Sequence, residues 1–122
     1  MKRSPLRKKG VKVKEKDLLR TILEWLAYRG IFNYRNNSGA FITQNNHFVR
    51  FGTPGAPDII AVVNGTFWGI EVKGTGGKQS DLQFEFMKKV TKEGGVYTLA
   101  YSLEAVEGMY KRLSTSQRLT FY

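Results

Sequence analysis

Several residue types are absent or scarce in this chain of 122 residues, and each shortage excludes a class of protein. There is no cysteine, which excludes disulfides, zinc–thiolate sites and cysteine nucleophiles and fits a reducing cytoplasm. The single histidine, His47, cannot build a histidine-rich metal site alone. The longest apolar run, Ile59–Val63, is far too short to span a bilayer. We therefore expect one cytoplasmic domain with no membrane partner.

Acidic residues are also scarce, because 20 Lys and Arg stand against 10 Asp and Glu and give a net charge of +10. A small domain with this excess favours a polyanionic partner, with nucleic acid first and an anionic membrane surface second. Basic residues crowd the first sixteen positions, where Glu15 is the one acid. This pattern predicts a flexible basic arm over 1–13, followed by a single domain over 14–122. The arm either binds DNA phosphates, with Lys8, Lys9 and Lys12 as candidates, or serves as a solubilising tail.

Hydrophobic periodicity and turn residues predict an alternation of helices and strands, which is typical of an α/β fold. Helices are expected over 14–29, 80–92 and 102–113, where Ser80 with Gln83 forms a capping-box pattern. Strands are expected over 31–35, 47–51, 58–63, 66–73 and 96–101, with a short extra strand at 118–122. The segment 36–46 is rich in Asn, Ser and Gly and is expected to be a loop.

Asn64-Gly65 between two β-prone runs is the sequence signal for a tight hairpin, and it fixes which residues face each other. If Val63 faces Thr66, then Asp58 faces Glu71, and both carboxylates lie on one face of the sheet. Lys73 lies two residues beyond Glu71 and therefore shares that face. The sequence thus predicts two opposed carboxylates with a lysine beside them.

Opposed carboxylates repel, so a shared proton or a divalent cation must offset the cost. Mg²⁺ favours such oxygen ligands, and the carbonyl of Val72 is a further candidate ligand. Lys73 would orient the attacking water or help to deprotonate it. In the alternative interpretation, Asp58 caps a turn while Glu71 and Lys73 form a surface ion pair.

The residues around this site resemble a known nuclease signature. Gly55-Ala56-Pro57-Asp58 followed by Ile70-Glu71-Val72-Lys73 is similar to the PD-(D/E)XK motif. Arg35-Asn36-Asn37-Ser38-Gly39, Arg50-Phe51-Gly52, Gln83 and Gly94-Gly95 extend the likeness to the VRR-NUC group, the virus-type replication-repair nucleases, whose short members occur in bacteriophages and resemble Holliday junction resolvases. If the chain is phage-encoded, its compartment is the host cell cytoplasm.

The resemblance implies a restriction-endonuclease-like α-β-β-β-α-β core, with a mixed central sheet flanked by helices. It also implies a Mg²⁺ or Mn²⁺ cofactor and cleavage of DNA, with branched duplexes such as four-way junctions as the substrate. A metal-binding Glu on the first helix is part of the pattern, and Glu15 is the candidate, with Asp17 as the alternative. Glu15 also extends the inward stripe of Leu19, Ile22 and Leu26, where a carboxylate requires a partner.

Three further residues receive roles from the same resemblance. Gln83 would act at the catalytic site in addition to capping its helix, while Arg35 and Ser38 would lie near the DNA backbone. A homodimer is a further hypothesis, because a two-fold dimer would present two sites to a four-way junction.

Two other functions compete with the nuclease. A catalytically silent DNA-binding module would use the same basic surface, with the acids serving structure. A basic RNA-binding or membrane-surface protein accounts for the charge but leaves the opposed carboxylates unexplained.

Overall fold

The computed structural model describes residues 11–37 and 39–116, which form three helices and six strands. The helices are α1 (Glu15–Tyr28), α2 (Asp81–Lys92) and α3 (Leu103–Thr115). The strands are β1 (Asn33–Arg35), β2 (Gly39–Ile42), β3 (Phe48–Phe51), β4 (Ile59–Val63), β5 (Thr66–Val72) and β6 (Val96–Ala100). The fold is therefore α/β, as the sequence predicted.

A mixed four-stranded sheet in the order β1-β4-β5-β6 forms the centre of the molecule. β4 is antiparallel to both β1 and β5, whereas β6 runs parallel to β5 after the α2 crossover. Val63 pairs with Thr66 and Ile59 with Ile70, which is the register that the Asn64-Gly65 turn predicted. Asn64 and Gly65 both have positive φ, as this type of two-residue hairpin turn requires.

The two faces of the sheet differ in how deeply they are covered. Trp68, Ile70 and Val72 point to one face, where they join α1 and α3 in the buried core. The opposite face bears Gly69 and Glu71, and there α2 packs through contacts such as that between Phe86 and Tyr97. No residue of α2 is fully buried, so this face of the sheet is covered less deeply than the other.

The segment 36–46 is not a loop throughout, which corrects the sequence-based expectation. β2 pairs with β3 in a separate two-stranded sheet, with Phe41 opposite Val49. Cross-strand packing stabilises β2, whose own residues do not predict a strand. The Phe51 ring lies against Gly39, and its centroid is 6.2 Å from that of the Phe41 ring. β3 itself lies within the expected strand at 47–51, but outside the main sheet.

The remaining element boundaries agree with the sequence patterns to within about two residues. Ser80 and Ser102 cap α2 and α3 as expected. The proposed strand at 118–122 and most of the arm lie outside the described residues. Val13 accepts a hydrogen bond from the Thr75 N–H and donates its own N–H to Thr75 Oγ1, so the chain is anchored from this point. No helix in the described part of the chain is long and apolar enough to cross a membrane.

Candidate active site

The Pro54-Gly55 turn delivers Asp58 to the start of β4. Gly55 has a φ of +78°, and a Cβ there would collide with the Leu82 carbonyl at the start of α2. On the other side, Asn36 donates its backbone N–H to Asp58 O at 2.7 Å and its side-chain amide to Pro57 O at 3.1 Å. Asp58 is thus held between the end of β1 and the N-terminus of α2.

Glu71 is the buried carboxyl group of the site, with 4% of its surface exposed. Burial raises its pKa most, the neighbouring Asp58 carboxylate raises it further, and Lys73 lowers it, which leaves a pKa of about 8. The Asp58 and Glu71 carboxyl groups also lie close enough to share a proton. Without a bound cation, burial and the Asp58 carboxylate therefore favour the protonated form of Glu71.

Lys73 lies on the same face as Glu71, as the period of two predicted. Its Nζ is 3.7 Å from Glu71 Oε2, and the side chain is only 13% exposed. The following loop folds back so that Gly77 lies against the Lys73 stem, and the Tyr101 hydroxyl donates to Gly77 O at 2.7 Å. The ammonium group is therefore held at the carboxyl pair, with a short path to solvent.

The backbone of Val72 also lies at the carboxyl pair. Its N–H donates to Asp58 Oδ2 at 2.8 Å, so a side chain takes the place of a backbone acceptor just before β4 begins. The Val72 carbonyl points toward the same edge, because a strand residue directs its N–H and C=O to one side. Two carboxylates and a carbonyl are ligands that suit Mg²⁺, and a divalent cation would replace the proton that Glu71 holds.

The donor set is nevertheless small. Across the described ranges, no three His, Cys, Asp or Glu side chains come together as a metal-binding group. Asp58, Glu71 and the Val72 carbonyl could hold one cation, with waters supplying the remaining ligands, as is usual for Mg²⁺.

Glu15 stands apart from this pair. Its backbone lies against Gly74 and its charge makes the smallest contribution to the raised pKa of Glu71, but the side chain is exposed at the first turn of α1. The buried stripe of the helix consists of Leu18, Ile22 and Leu26. Burial therefore does not force Glu15 to find a partner, because the helix is exposed at this residue.

Gln83 forms the capping box that the sequence predicted. Its side-chain oxygen accepts from the Ser80 N–H at 2.9 Å, and its own N–H donates to Ser80 Oγ at 3.1 Å. The amide is thus engaged at the start of α2, on the sheet face that bears Glu71. No contact joins it to the carboxyl pair among the hydrogen bonds of the described residues.

The predicted DNA-binding residues are spread over several parts of the chain. Arg35 is exposed and pairs with Ile59, so the register places its Cβ on the opposite face from the carboxylates. Tyr34, its exposed neighbour, stands on the carboxylate face. Lys12 is exposed just before the Val13 anchor, and the predictions for Ser38, Lys8 and Lys9 lie outside the described residues.

Tyr97 lies near the carboxyl pair, although no sequence pattern singles it out. Its hydroxyl is buried without a hydrogen-bond partner, although the Gln79 side chain is nearby and bonds instead to Met87 Sδ at 3.7 Å. Burial and then the Glu71 charge raise the Tyr97 pKa, so the phenol remains a donor. Neither this proximity nor the Asn36 clamp has a local sequence signal, because both depend on contacts between distant segments.

No family model, curated protein or solved structure matches the chain. What the site can do therefore follows from its own groups: a proton-sharing carboxyl pair, a lysine at 3.7 Å and a buried phenol donor.

Proposed function

We propose that the protein is a metal-dependent DNA endonuclease that hydrolyses phosphodiester bonds with Mg²⁺ or Mn²⁺. The observation that supports it most is the buried Glu71 beside Asp58, with Lys73 in contact. A buried carboxyl group next to a second one, together with a cation on the same face, is costly as pure structure. They become useful when a divalent cation binds.

Each group has a role in this reaction that its position supports. Asp58 and Glu71 would hold the cation, with the Val72 carbonyl as a further ligand. A bound Mg²⁺ supplies charge neutralisation at the scissile phosphate and lowers the pKa of water. Lys73 would place its ammonium near the attacking water or a phosphate oxygen, and it stabilises negative charge there.

The restriction-endonuclease-like core belongs to the same proposal. If the β2–β3 sheet is treated as an insertion, the other elements follow the order α1-β1-β4-β5-α2-β6, which is the α-β-β-β-α-β order of the nucleases that the sequence resembles. The preference for branched DNA and the roles of Glu15 as a metal ligand, of Gln83 at the catalytic site and of Arg35 and Ser38 near the DNA backbone rest on that resemblance. A homodimer follows from the branched substrate, and the phosphate contacts of the arm rest on its basic charge.

A catalytically silent DNA-binding module is the second candidate, and one observation favours it. The polar groups around the carboxyl pair already have partners, because Val72 N–H bonds Asp58 and Lys73 pairs with Glu71. In that case the acids serve folding, and the net charge of +10 serves binding.

Cleavage of supercoiled plasmid and of a four-way junction, with Mg²⁺ or with chelator, separates the two candidates. We expect wild type to cut only with the metal, and Asp58→Asn to lose cleavage while it still binds DNA, because the amide can accept the Val72 N–H bond but is a poor cation ligand. Glu24→Gln, which removes one exposed charge on α1, is the control and should cut like wild type. Equal cleavage by Asp58→Asn and wild type would disprove the site assignment.

A further inference from the structure

The β2–β3 hairpin (39–51) presents apolar side chains to solvent on both of its faces. One face bears Ile42 and Phe48, which pair across the strands and are 68% and 62% exposed. The other face bears Phe41 and Phe51, also largely exposed. A two-stranded hairpin is marginally stable by itself, and four large exposed side chains on one are costly unless a ligand covers them.

The hairpin itself contains no Asp or Glu, and Arg50 is its one Lys or Arg side chain. The Arg50 guanidinium is 5.5 Å from the Phe48 ring centroid, so a cation and an aromatic surface are presented together. Aromatic rings with an adjacent arginine complement a ligand that has flat apolar faces and negative charge.

The hairpin is also joined to the chain beside the carboxyl pair. β2 follows the Asn36 clamp on Asp58, and β3 leads through Gly52 and Pro54 directly to Asp58. A shallow groove runs from Phe48, Arg50 and Phe51 to Leu82 at the start of α2. A strand of DNA lying on the hairpin would therefore leave it close to the candidate active site.

We propose that the β2–β3 hairpin binds unpaired bases of single-stranded DNA, which stack on Phe48 and its aromatic neighbours while Arg50 contacts the phosphates. Base stacking on aromatic side chains tolerates any sequence and is common in proteins that bind single strands. This inference rests on the proposed function for the identity of the nucleic acid. It narrows the substrate to DNA that contains an unpaired segment near the cut.

Other occupants fit the same surface less well. A second copy of this chain would bring a like net charge of +10 and another acid-free patch against the first. An anionic membrane would match the charge, but the groove and the paired Arg50–Phe48 arrangement suit a planar base more closely than lipid tails.

The test is binding to a fluorescent oligothymidylate of about 16 nucleotides, compared with a duplex of equal length, in chelator so that nothing is cut. Phe48→Ala should weaken single-strand binding roughly 5- to 150-fold, the range expected for one stacked base, and change duplex binding little. Phe48→Trp should bind like wild type and add a quenched tryptophan signal. Phe32→Ala, which removes an equally exposed phenylalanine outside the hairpin, is the matched control and should stay within about twofold of wild type.

Three results would overturn the inference. Phe48→Ala could bind the single strand like wild type, or it could lose the same factor on single strand and duplex. In the third, the affinity for single-stranded DNA would be unchanged while binding to phosphatidylserine vesicles or self-association in sedimentation is lost, which would identify a membrane or a second copy as the occupant. Because the assay needs no cleavage, an inactive wild-type protein would refute the nuclease and leave this measurement intact.

Discussion

Glu71 is held in a position where its ionised form is unfavourable. The strand register forces the Glu71 and Asp58 carboxyl groups together, and β5 is too well covered to let Glu71 turn into solvent. The result is a group that holds a proton in the folded protein at a pH where the unfolded chain has released it. Folding, proton binding and cation binding are therefore linked at this residue.

This linkage predicts a specific dependence of stability on pH. The Glu71 pKa is raised from 4.5 to about 8, so its stabilising contribution is complete below the unfolded value and disappears as the pH rises through about 8. In chelator, the unfolding free energy of wild type should fall from pH 5 to about pH 8 relative to Glu71→Gln, which cannot ionise. The difference is at most a few kcal/mol, at about 1.4 kcal/mol per pKa unit.

Urea unfolding across this pH range measures the effect, with Glu24→Gln as the exposed control that should follow wild type. Mg²⁺ should stabilise wild type more at pH 8 than at about pH 6, because at the lower pH it must displace the Glu71 proton. Parallel pH profiles for wild type and Glu71→Gln would show that Glu71 ionises normally.

At this scale the sequence predicted the residues whose placement follows from local rules. The Asn64-Gly65 turn and the period of two were enough to bring Asp58, Glu71 and Lys73 to one face. Tyr97 and Asn36 were missed because their positions depend on how β6 and β1 pair with the two strands β4 and β5. The burial of Glu15 was predicted wrongly, because helical periodicity gives the direction of a side chain but not whether other elements cover it.

Among the elements, β2 illustrates a second limit of prediction. Gly39–Ile42 is only four residues long and is followed by an amide-rich turn, so its own sequence predicts a loop. Its strand conformation comes from pairing with β3 and from the Phe51 ring over Gly39, and neither is encoded within the segment. The helices with capping serines were predictable because their start signals are local.

The packing of the Pro54-Gly55 turn on α2 also lends itself to a test. In Gly55→Ala, the new Cβ would collide with the Leu82 carbonyl, and the alanine would also have to adopt a positive φ. In Gly76→Ala, the φ of +82° is similar, but no atom lies within 4 Å of the new Cβ. We expect Gly76→Ala to cost about 1–2 kcal/mol of unfolding free energy for the backbone strain. Gly55→Ala should cost about 1–3 kcal/mol more for overpacking, and it should also displace Asp58 and reduce cleavage.

Chemical denaturation of the two variants separates strain from collision. If both glycine variants lose the same stability, the turn is not packed tightly on α2, and the position of Asp58 must depend mainly on the Asn36 clamp.

For the whole molecule, charge and chemistry occupy different parts of the chain. The carboxyl pair stands on the central sheet, the aromatic hairpin carries Arg50 and no Asp or Glu, and the first ten residues contain five Lys and Arg. On the proposed function, the overall positive charge would attract any DNA, while the hairpin would select unpaired bases and the carboxyl pair would cut. These three roles can be separated by experiment because they depend on different residues.

Deleting residues 1–10 tests the role of the arm without disturbing the anchor between Val13 and Thr75. This truncation removes Lys2, Arg3, Arg7, Lys8 and Lys9. If these side chains bind phosphates, affinity for duplex and single-stranded DNA should fall together. The slope of log K against log salt should flatten by about 0.9 for each duplex phosphate contact that is lost.

The rate at saturating DNA should change little, because the truncation leaves Asp58, Glu71 and Lys73 in place. Phe48→Ala provides the contrast, since it should change the preference for single strands and leave the salt slope on duplex unaltered. Fluorescence anisotropy over a salt series measures both. An unchanged slope after truncation would mean that the five charges make no phosphate contacts, and that the affinity of the protein for duplex comes from the folded surface.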